Sequence, residues 1–259
     1  MPALAVIPAR FGSTRFPGKP LAAETGKPLI QHVVEAVAGC TTIDRVVVAT
    51  DDTRIAEAVR SFGGEAVMTG EHPNGTSRIA EAVAQLEASG IDVPEMIVNV
   101  QGDEPEVPAA TIDALVRGLA DDPDAQMATL ASPFDPDEDP RNPNVVKLVL
   151  DRHGRAMYFS RSPIPYDRDA EVLGTVPHVT MYKHPGLYAY RRAFLDLYPT
   201  LEPTPLEQAE KLEQLRVLEH GHPIAVIHAD APHPGIDTPE QYAAFVERYG
   251  QGDHAAEVS

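Results

Sequence analysis

Apolar residues fall into short unbroken runs separated by stretches with helical spacing, and the two alternate from the N-terminus to about residue 119. Leu4-Ala5-Val6-Ile7 is one such run, ending at Pro8, and predicts a buried strand. Pro28 to Ala38 then sets Leu29, Ile30, Val33, Val34 and Val37 at helical spacing, with Pro28 at the first turn. Val46 to Thr50 reads as a second strand, and Thr53 to Phe62 carries Ile55, Val59 and Phe62 on one helical face before Gly63-Gly64 stops it. Ala66 to Met68 predicts a third strand, and Ser77 to Ala88 a helix with Ile79, Val83 and Leu86 inward. Met96 to Val100 is the fourth strand, followed by a helix near Ala109 to Leu119. Strands that are apolar throughout, rather than alternating, are buried on both sides. The pattern therefore predicts a parallel sheet with helices on both faces.

The pattern changes at Pro133, where a proline-punctuated acidic loop runs to Pro143. Beyond it, Val145 to Leu150 and Ala156 to Phe159 predict strands joined by the turn Asp151-Arg152-His153-Gly154. Gly186 to Tyr190 is another strand, Glu207 to Glu219 a helix, Ile224 to Ile227 a late strand and Pro239 to Tyr249 the last helix. No internal repeat interrupts this order. The expected architecture is α/β: a Rossmann-like, mostly parallel sheet in a single domain over residues 1–250. A smaller inserted α+β lobe is expected at about 133–185, and a flexible tail at 251–259.

At 259 residues and 43% hydrophobic, the chain can bury a sizeable core. Twenty-one basic against 39 acidic residues give a net charge of −18, a field that repels nucleic acid unless a basic stripe overrides it, and the sequence has none. The single cysteine, Cys40, excludes an internal disulfide, and with no His or base near it in sequence it is not expected to act as a nucleophile. Met1 to Ile7 lacks the basic start of a signal peptide, and no stretch approaches the ~20 apolar residues that span a bilayer. A soluble cytoplasmic protein without membrane insertion is expected.

The charge balance reverses in one place. Pro8-Ala9-Arg10-Phe11-Gly12-Ser13-Thr14-Arg15-Phe16-Pro17-Gly18-Lys19-Pro20 holds three cations and no acid. The loop follows the carboxyl end of a parallel strand, where open α/β sheets bind ligands. Glycines there let backbone N–H groups approach an anion, and Arg and Lys supply countercharge, so a polyphosphate is the expected ligand. It is not a Walker A loop: Gly12 lies one residue too early and Pro20 replaces the magnesium-binding hydroxyl. The Gly-x-Gly-x-x-Gly fingerprint of dinucleotide enzymes is absent as well, which disfavours a dinucleotide-dependent oxidoreductase.

Ile7-Pro8-Ala9-Arg10-x-x-Ser13-x-Arg15-x-Pro17-Gly18-Lys19-Pro20 resembles the signature loop of cytidylyltransferases that activate acidic sugars. Further segments continue the likeness: Val48 to Asp51, Gly75-Thr76-x-Arg78, Val98-Asn99-Val100-Gln101-Gly102-Asp103-Glu104-Pro105, Asn142 to Lys147, Tyr158 to Arg161, Leu212 to Arg216 and Gly235 to Glu240. Taken in order over residues 4–245, they resemble the 3-deoxy-manno-octulosonate cytidylyltransferase family, also called CMP-KDO synthetases. The resemblance implies a homodimeric, magnesium-dependent enzyme that joins CTP to KDO and releases diphosphate, for lipopolysaccharide biosynthesis. An amino analogue of KDO, a sialic acid, or a non-catalytic nucleotide-sugar binding module are the alternatives.

Such chemistry needs cations around the phosphates, which Arg10, Arg15 and Lys19 provide, with Ser13, Ala9 and the loop amides assisting. Arg10 or Lys19 is expected nearest the reacting phosphate. Asp103, just past the fourth strand, either holds magnesium or only caps the following helix or orders the turn. Asp237 either does the same or only leads into the last helix. The resemblance makes both metal ligands, for one ion or two. It assigns nucleotide contacts to Gly75, Thr76, Arg78 and Gln101, and sugar contacts to Gln101, Arg161, His184, Tyr188, Glu213 and Gln214. Arg141, Lys147, Arg152, Arg155, Arg161 and Arg168 form a second cationic island suited to a carboxylate, in which Arg152 and Arg155 read as solvated turn cations. The chain departs from the family pattern at Ser77, where an acid is usual, at Asn74, where Ser is common, in a 70–78 loop one residue short, and at His184, where an aliphatic residue is more frequent.

Overall fold

The computed structural model describes residues 2–12, 15–173, 178–229 and 235–256. They form two compact units, Met1–Asp113 with Pro232–Ser259, and Ala114–Ala231.

In the first unit, β1 (Ala3–Ala9), β2 (Ile43–Thr50), β3 (Glu65–Met68) and β4 (Met96–Asn99) run parallel in the order β3-β2-β1-β4. Val6 pairs with Val47 on one side and Asn99 on the other, which sets the register. Nearly every residue of β1 and all of β4 are buried, as expected of strands covered on both faces. The connecting helices are α1 (Leu29–Ala38), α2 (Thr53–Ser61) and α3 (Gly75–Ala88), all at the positions the periodicity predicts. Asp52 caps α2 by accepting from Arg54 N at 2.9 Å, and Asn74 caps α3 through Ser77 N at 2.9 Å. Near the start of α4 (Ala109–Asp121), the Asp113 carboxylate accepts four hydrogen bonds from Thr41 and Thr42, at 2.5 to 3.1 Å. These bonds fix the entry of β2.

The second unit contains β5 (Met127–Pro133), which pairs in parallel with β10 (Ile224–His228) and antiparallel with β9 (Tyr188–Arg191). The hairpin of β6 (Lys147–Leu150) and β7 (Ala156–Ser160) joins through β8 (Tyr182–Lys183). Asp151 builds its turn by accepting from His153 N at 2.7 Å and Arg155 N at 2.9 Å. Helices α5 (Arg168–Leu173), α6 (Arg192–Leu197), α7 (Pro205–Glu210) and α8 (Gln214–Glu219) complete it.

The short α5, α6 and β8 have no counterpart in the sequence reading, and two larger features differ from it. β5 had no counterpart in it, because Met-Ala-Thr-Leu-Ala-Ser separates its two large apolar residues with small ones and lacks the bulky run that marked the other strands. The single helix expected over Glu207–Glu219 is two helices. Lys211 adopts φ 56° and ends α7, which turns Leu212 inward, and Arg216 pairs across the break with Glu207 at 2.6 and 2.7 Å.

Back in the first unit, α9 (Pro239–Ala256) packs Tyr242 and Phe245 against Leu29 and Ile236. The buried His32 ring meets Phe245 and Tyr249 edge-on, at 5.1 and 4.7 Å, so it is a packing residue. Burial, with Asp113 nearby, pushes the Cys40 thiol up to about 11, which leaves it inert as a nucleophile. Among the described residues no helix is long and apolar enough to cross a membrane.

Candidate active site

β1 delivers the first loop to the carboxyl edge of the parallel strands. Ala9 is its last, buried residue, and Arg10 follows it exposed to solvent. Gly18 N donates to Phe11 O at 3.0 Å and closes the loop. Gly18 itself has φ +70°, and a Cβ there would lie 3.1 Å from the Phe11 ring, so the turn requires glycine. That turn starts a single 3-10 turn, Lys19–Leu21, and aims Lys19 inward.

Lys19 is 8% exposed. Its Nζ donates to Asp103 Oδ2 at 2.6 Å and to Ile236 O at 2.6 Å, with Asp237 Oδ1 at 3.5 Å. Arg15 pairs with the other oxygen of Asp237 at 3.0 Å. Ile236 N donates to Asp103 O at 2.8 Å. Three segments far apart in sequence therefore close on one ammonium group. Gly102 permits this approach: a Cβ there would lie 3.0 Å from Pro8 O. Next to the cluster, desolvation pushes the half-buried Glu104 up to about 8, with the Asp103 charge adding to the rise.

Gly75 and Thr76 open α3, and a Cβ on Gly75 would meet Pro8 Cγ at 3.6 Å and Asn99 Nδ2 at 4.0 Å. The Arg78 guanidinium is buried and turned inward, donating to Asp51 Oδ2 and Thr69 Oγ1 at 2.7 Å each. It braces the segment at 69–70 from beneath. Gln101 Nε2 donates to Asn99 Oδ1 at 3.2 Å. Asn99 is fully buried with no hydrogen-bond partner for Nδ2. Sequence reading gave Asn99 no role, although an amide ending an apolar strand was the available signal. Ser13 lies outside the described residues.

In the second unit the cationic island resolves into a few inward groups and a set of surface pairs. Arg155 is not the solvated turn cation that the sequence suggested: it forms a half-buried pair with Asp122 through Nε and Nη2, at 2.8 and 2.7 Å, and reaches Asp124 at 3.1 Å, while Arg141 pairs with Asp139 at the surface. Lys147, by contrast, is 0% exposed and donates to Asn142 O at 3.1 Å, to Val145 O at 2.7 Å and to Arg161 O. Burial lowers its pKa. Arg161 donates through Nε to Glu210 O at 2.7 Å and through Nη1 to Pro143 O at 2.9 Å, while Glu210 accepts from Ser160 Oγ and Arg161 N. His184 N donates to Val146 O at 2.8 Å, and its ring lies between Phe159 and Tyr188. Tyr188 is buried, and Gln214 begins α8 with Nε2 buried and lacking a partner; Glu213 precedes it.

A sequence profile of the cytidylyltransferase family matches residues 4–224. The 3-deoxy-manno-octulosonate cytidylyltransferase of Syntrophobacter fumaroxidans is 51% identical over 242 residues, covering 93% of this chain and 94% of that one. The enzyme of the same name from Idiomarina loihiensis is 49% identical over 252 residues, covering 95% and 98%. The chain belongs to the 3-deoxy-manno-octulosonate cytidylyltransferase family. A solved CMP:2-keto-3-deoxy-manno-octonic acid synthetase complexed with CTP superposes with a TM-score of 0.88 at 41% identity, covering 97% of this chain and all of that one. A Leptospira borgpetersenii cytidylyltransferase, at 17% identity and a TM-score of 0.58, shares the fold.

The donor set of this cytidylyltransferase at Lys19 fits magnesium. Asp103 and Asp237 offer hard carboxylate oxygens converging on one point, and that point already draws a cationic group. Among the described residues no cluster of three or more His, Cys, Asp or Glu side chains forms a cage, so an ion held here would need further ligands from phosphate oxygens and water.

Proposed function

We propose that the chain joins CTP to KDO, giving CMP-KDO and diphosphate, with the product used in lipopolysaccharide biosynthesis. The observation that carries the reading is the clasp of Lys19 on Asp103, Asp237 and Ile236 O at the carboxyl edge of the parallel strands.

In the reaction, a KDO hydroxyl attacks the α-phosphorus of CTP. A new oxygen–phosphorus bond forms, the hydroxyl proton passes to water, the bond to the bridging oxygen breaks, and diphosphate leaves. Charge grows on the phosphoryl oxygens and the leaving group, so positioned cations lower the barrier more than any proton transfer does. Arg10, Arg15 and Lys19 hold the triphosphate, with Ser13 and the amides of the first loop. Gly75, Thr76, Gln101 and the segment braced by Arg78 face the nucleoside, and the buried Asn99 amide holds Gln101. Gln101, Arg161, His184, Tyr188, Glu213 and Gln214 are assigned to KDO. Lys147 supports that set by pinning the carbonyls of residues 142, 145 and 161. Asp103 and Asp237 would hold magnesium, which when bound supplies positive charge to the phosphates.

Residues 133–185 are assigned to a lobe for sugar binding and dimerisation. Met157, Tyr166, Val172 and Val179, all more than half exposed, support a homodimer formed there. A cytoplasmic location is supported by the lone buried thiol.

The test is diphosphate release from CTP with and without KDO, in magnesium and then in EDTA. Release should require both KDO and magnesium. Release with a sialic acid or 8-amino-KDO but not KDO would replace the substrate. No release with any sugar, despite CTP binding, would make the chain a binding module.

A further inference from the structure

Thr129 lies in the middle of β5, 0% exposed, paired in register with Tyr188 of β9. Its hydroxyl has two neighbours. Oγ1 is 2.7 Å from Leu187 O and 2.9 Å from His184 Nε2. A carbonyl oxygen only accepts, and a hydroxyl has a single proton. Both contacts are hydrogen bonds only if Thr129 donates to Leu187 O and accepts from His184 Nε2–H. Any other arrangement leaves a buried polar atom without its partner, which is costly. The ring is neutral: burial alone pushes its pKa down to about 3. Phe159 and Tyr188 hold its plane, with ring centroids 4.9 and 5.4 Å away. A neutral ring protonated on Nε2 carries a bare lone pair on Nδ1, and Nδ1 has no hydrogen-bond partner among the described residues.

We infer that Thr129 is a positioning residue for the sugar: it fixes His184 as the Nε2–H tautomer, so that Nδ1 is a dedicated acceptor for a substrate hydroxyl. The inference rests on the assignment of His184 to KDO and specifies what the contact can read. A bare Nδ1 attracts a hydroxyl proton and repels a carboxylate, so His184 reads a hydroxyl of the sugar acid. The carboxylate goes to a cationic group, for which Arg161 retains N–H donors beyond the two engaged by Glu210 O and Pro143 O. The aromatic neighbours set where the acceptor points, and Thr129 sets its polarity.

The experiment is a two-bond proton–nitrogen correlation on the 15N-labelled full chain at neutral pH, with the His184 signals assigned by their loss in His184→Asn. In the wild type, Nδ1 should resonate far downfield of Nε2. Thr129→Val should draw the two nitrogens toward a common shift and raise KM for KDO roughly tenfold, the loss of about one hydrogen bond. KM for CTP should stay unchanged, and Thr129→Ser should restore both the spectrum and KM. A wild-type spectrum with Nε2 downfield, or with both nitrogens in the imidazolium range, would overturn the tautomer. If Thr129→Val moves the tautomer while KM for KDO stays fixed, the positioning role is overturned, and KDO-dependent diphosphate release by the wild type still decides the reaction separately. Should Thr129→Val fail to fold, the wild-type spectrum and Thr129→Ser carry the test.

Discussion

Lys19→Met removes the charge at the centre of the clasp while keeping the length and apolar stem of the side chain. In the native protein the ammonium has three acceptors, at 2.6, 2.6 and 3.5 Å. Without it, Asp103 loses its ammonium partner, Asp237 keeps Arg15, and Ile236 O loses its donor. Breaking a fully buried ion pair costs about 3–5 kcal/mol, and an exposed pair contributes about 0–1. The two carboxylate side chains are 27% and 41% exposed, so the cost falls between these limits, at about 1–2 kcal/mol. For a chain of this size that lowers Tm by roughly 2–8 °C. Typical stabilities of about 5–15 kcal/mol leave the variant folded at 25 °C, so any loss of rate there is not unfolding. Turnover should fall ~10²-fold or more, as when a donor to a developing oxyanion is lost. Diphosphate release at saturating KDO and magnesium gives kcat, and differential scanning calorimetry gives Tm. A kcat within threefold of wild type would refute the placement of Lys19 at the phosphates, and an unchanged Tm would refute the clasp.

Two further perturbations test the fold that carries the site. Desolvation would raise the Asp113 pKa, but the hydroxyls and amides of Thr41 and Thr42 outweigh it and hold the group at about 2 against an ordinary 3.8. At about 1.4 kcal/mol per unit, this contributes about 2 kcal/mol of stability, fully present above pH ~4 and lost as pH falls through about 2. Asp113→Asn should therefore lower urea stability by that amount at pH 7, with the gap to wild type shrinking below pH ~4; a gap independent of pH would contradict the linkage. In the second unit, a Cβ on Gly118 would lie 2.2 Å from Ile227 Cγ1 and 2.7 Å from Cδ1. Gly118→Ala should gain about 1 kcal/mol of helix propensity and lose about 1–3 to overpacking, a net destabilisation of about 1 kcal/mol. That cost should fall in an Ile227→Ala background, and equal costs in the two backgrounds would exclude the contact.

The first unit was legible because its physics is local. Most strands there are apolar runs, the helices have their own periods, α2 and α3 have their own caps, and register follows from burying both faces. The second unit was less so. β5 has Met127 and Leu130 set apart among small residues, and it becomes a strand through pairing with β9 and β10, partners some 60 and 97 residues away along the chain. The break at Lys211 is invisible to periodicity, because Leu212 and Leu215 keep a plausible helical spacing across it while the backbone changes hand for one residue. At the site, residue types and loop position pointed to Arg15 and Lys19, the family resemblance singled out Asp103 and Asp237, and the structure brings these four together. What composition could not supply was direction. Arg78 and Arg161 look equivalent as cations, yet Arg78 turns inward onto Asp51, while Arg161 is anchored by two carbonyls. Thr129 was invisible for the same reason, and Asn99 offered no more than an amide ending an apolar strand: a polar residue in such a strand has meaning only once its neighbours are known.

A chain of net charge −18 has to bind a triphosphate and a sugar acid, both anionic. The Debye length of ~8 Å at physiological salt limits how far its surplus carboxylates act, so the charges within one such length decide the affinity. The first loop is free of acids over Pro8–Pro20, and the carboxylates nearest it, Asp103 and Asp237, are already neutralised by Lys19 and Arg15. Elsewhere many cations are paired on the surface, as Arg45 is with Glu65 and Arg248 with Glu106, and these exposed pairs contribute little to a distant ligand. Local charge segregation, rather than net charge, therefore makes this acidic protein a receptor for anions. The same carboxylates that balance Lys19 are hard oxygen donors of the kind a divalent ion would use beside bound phosphates.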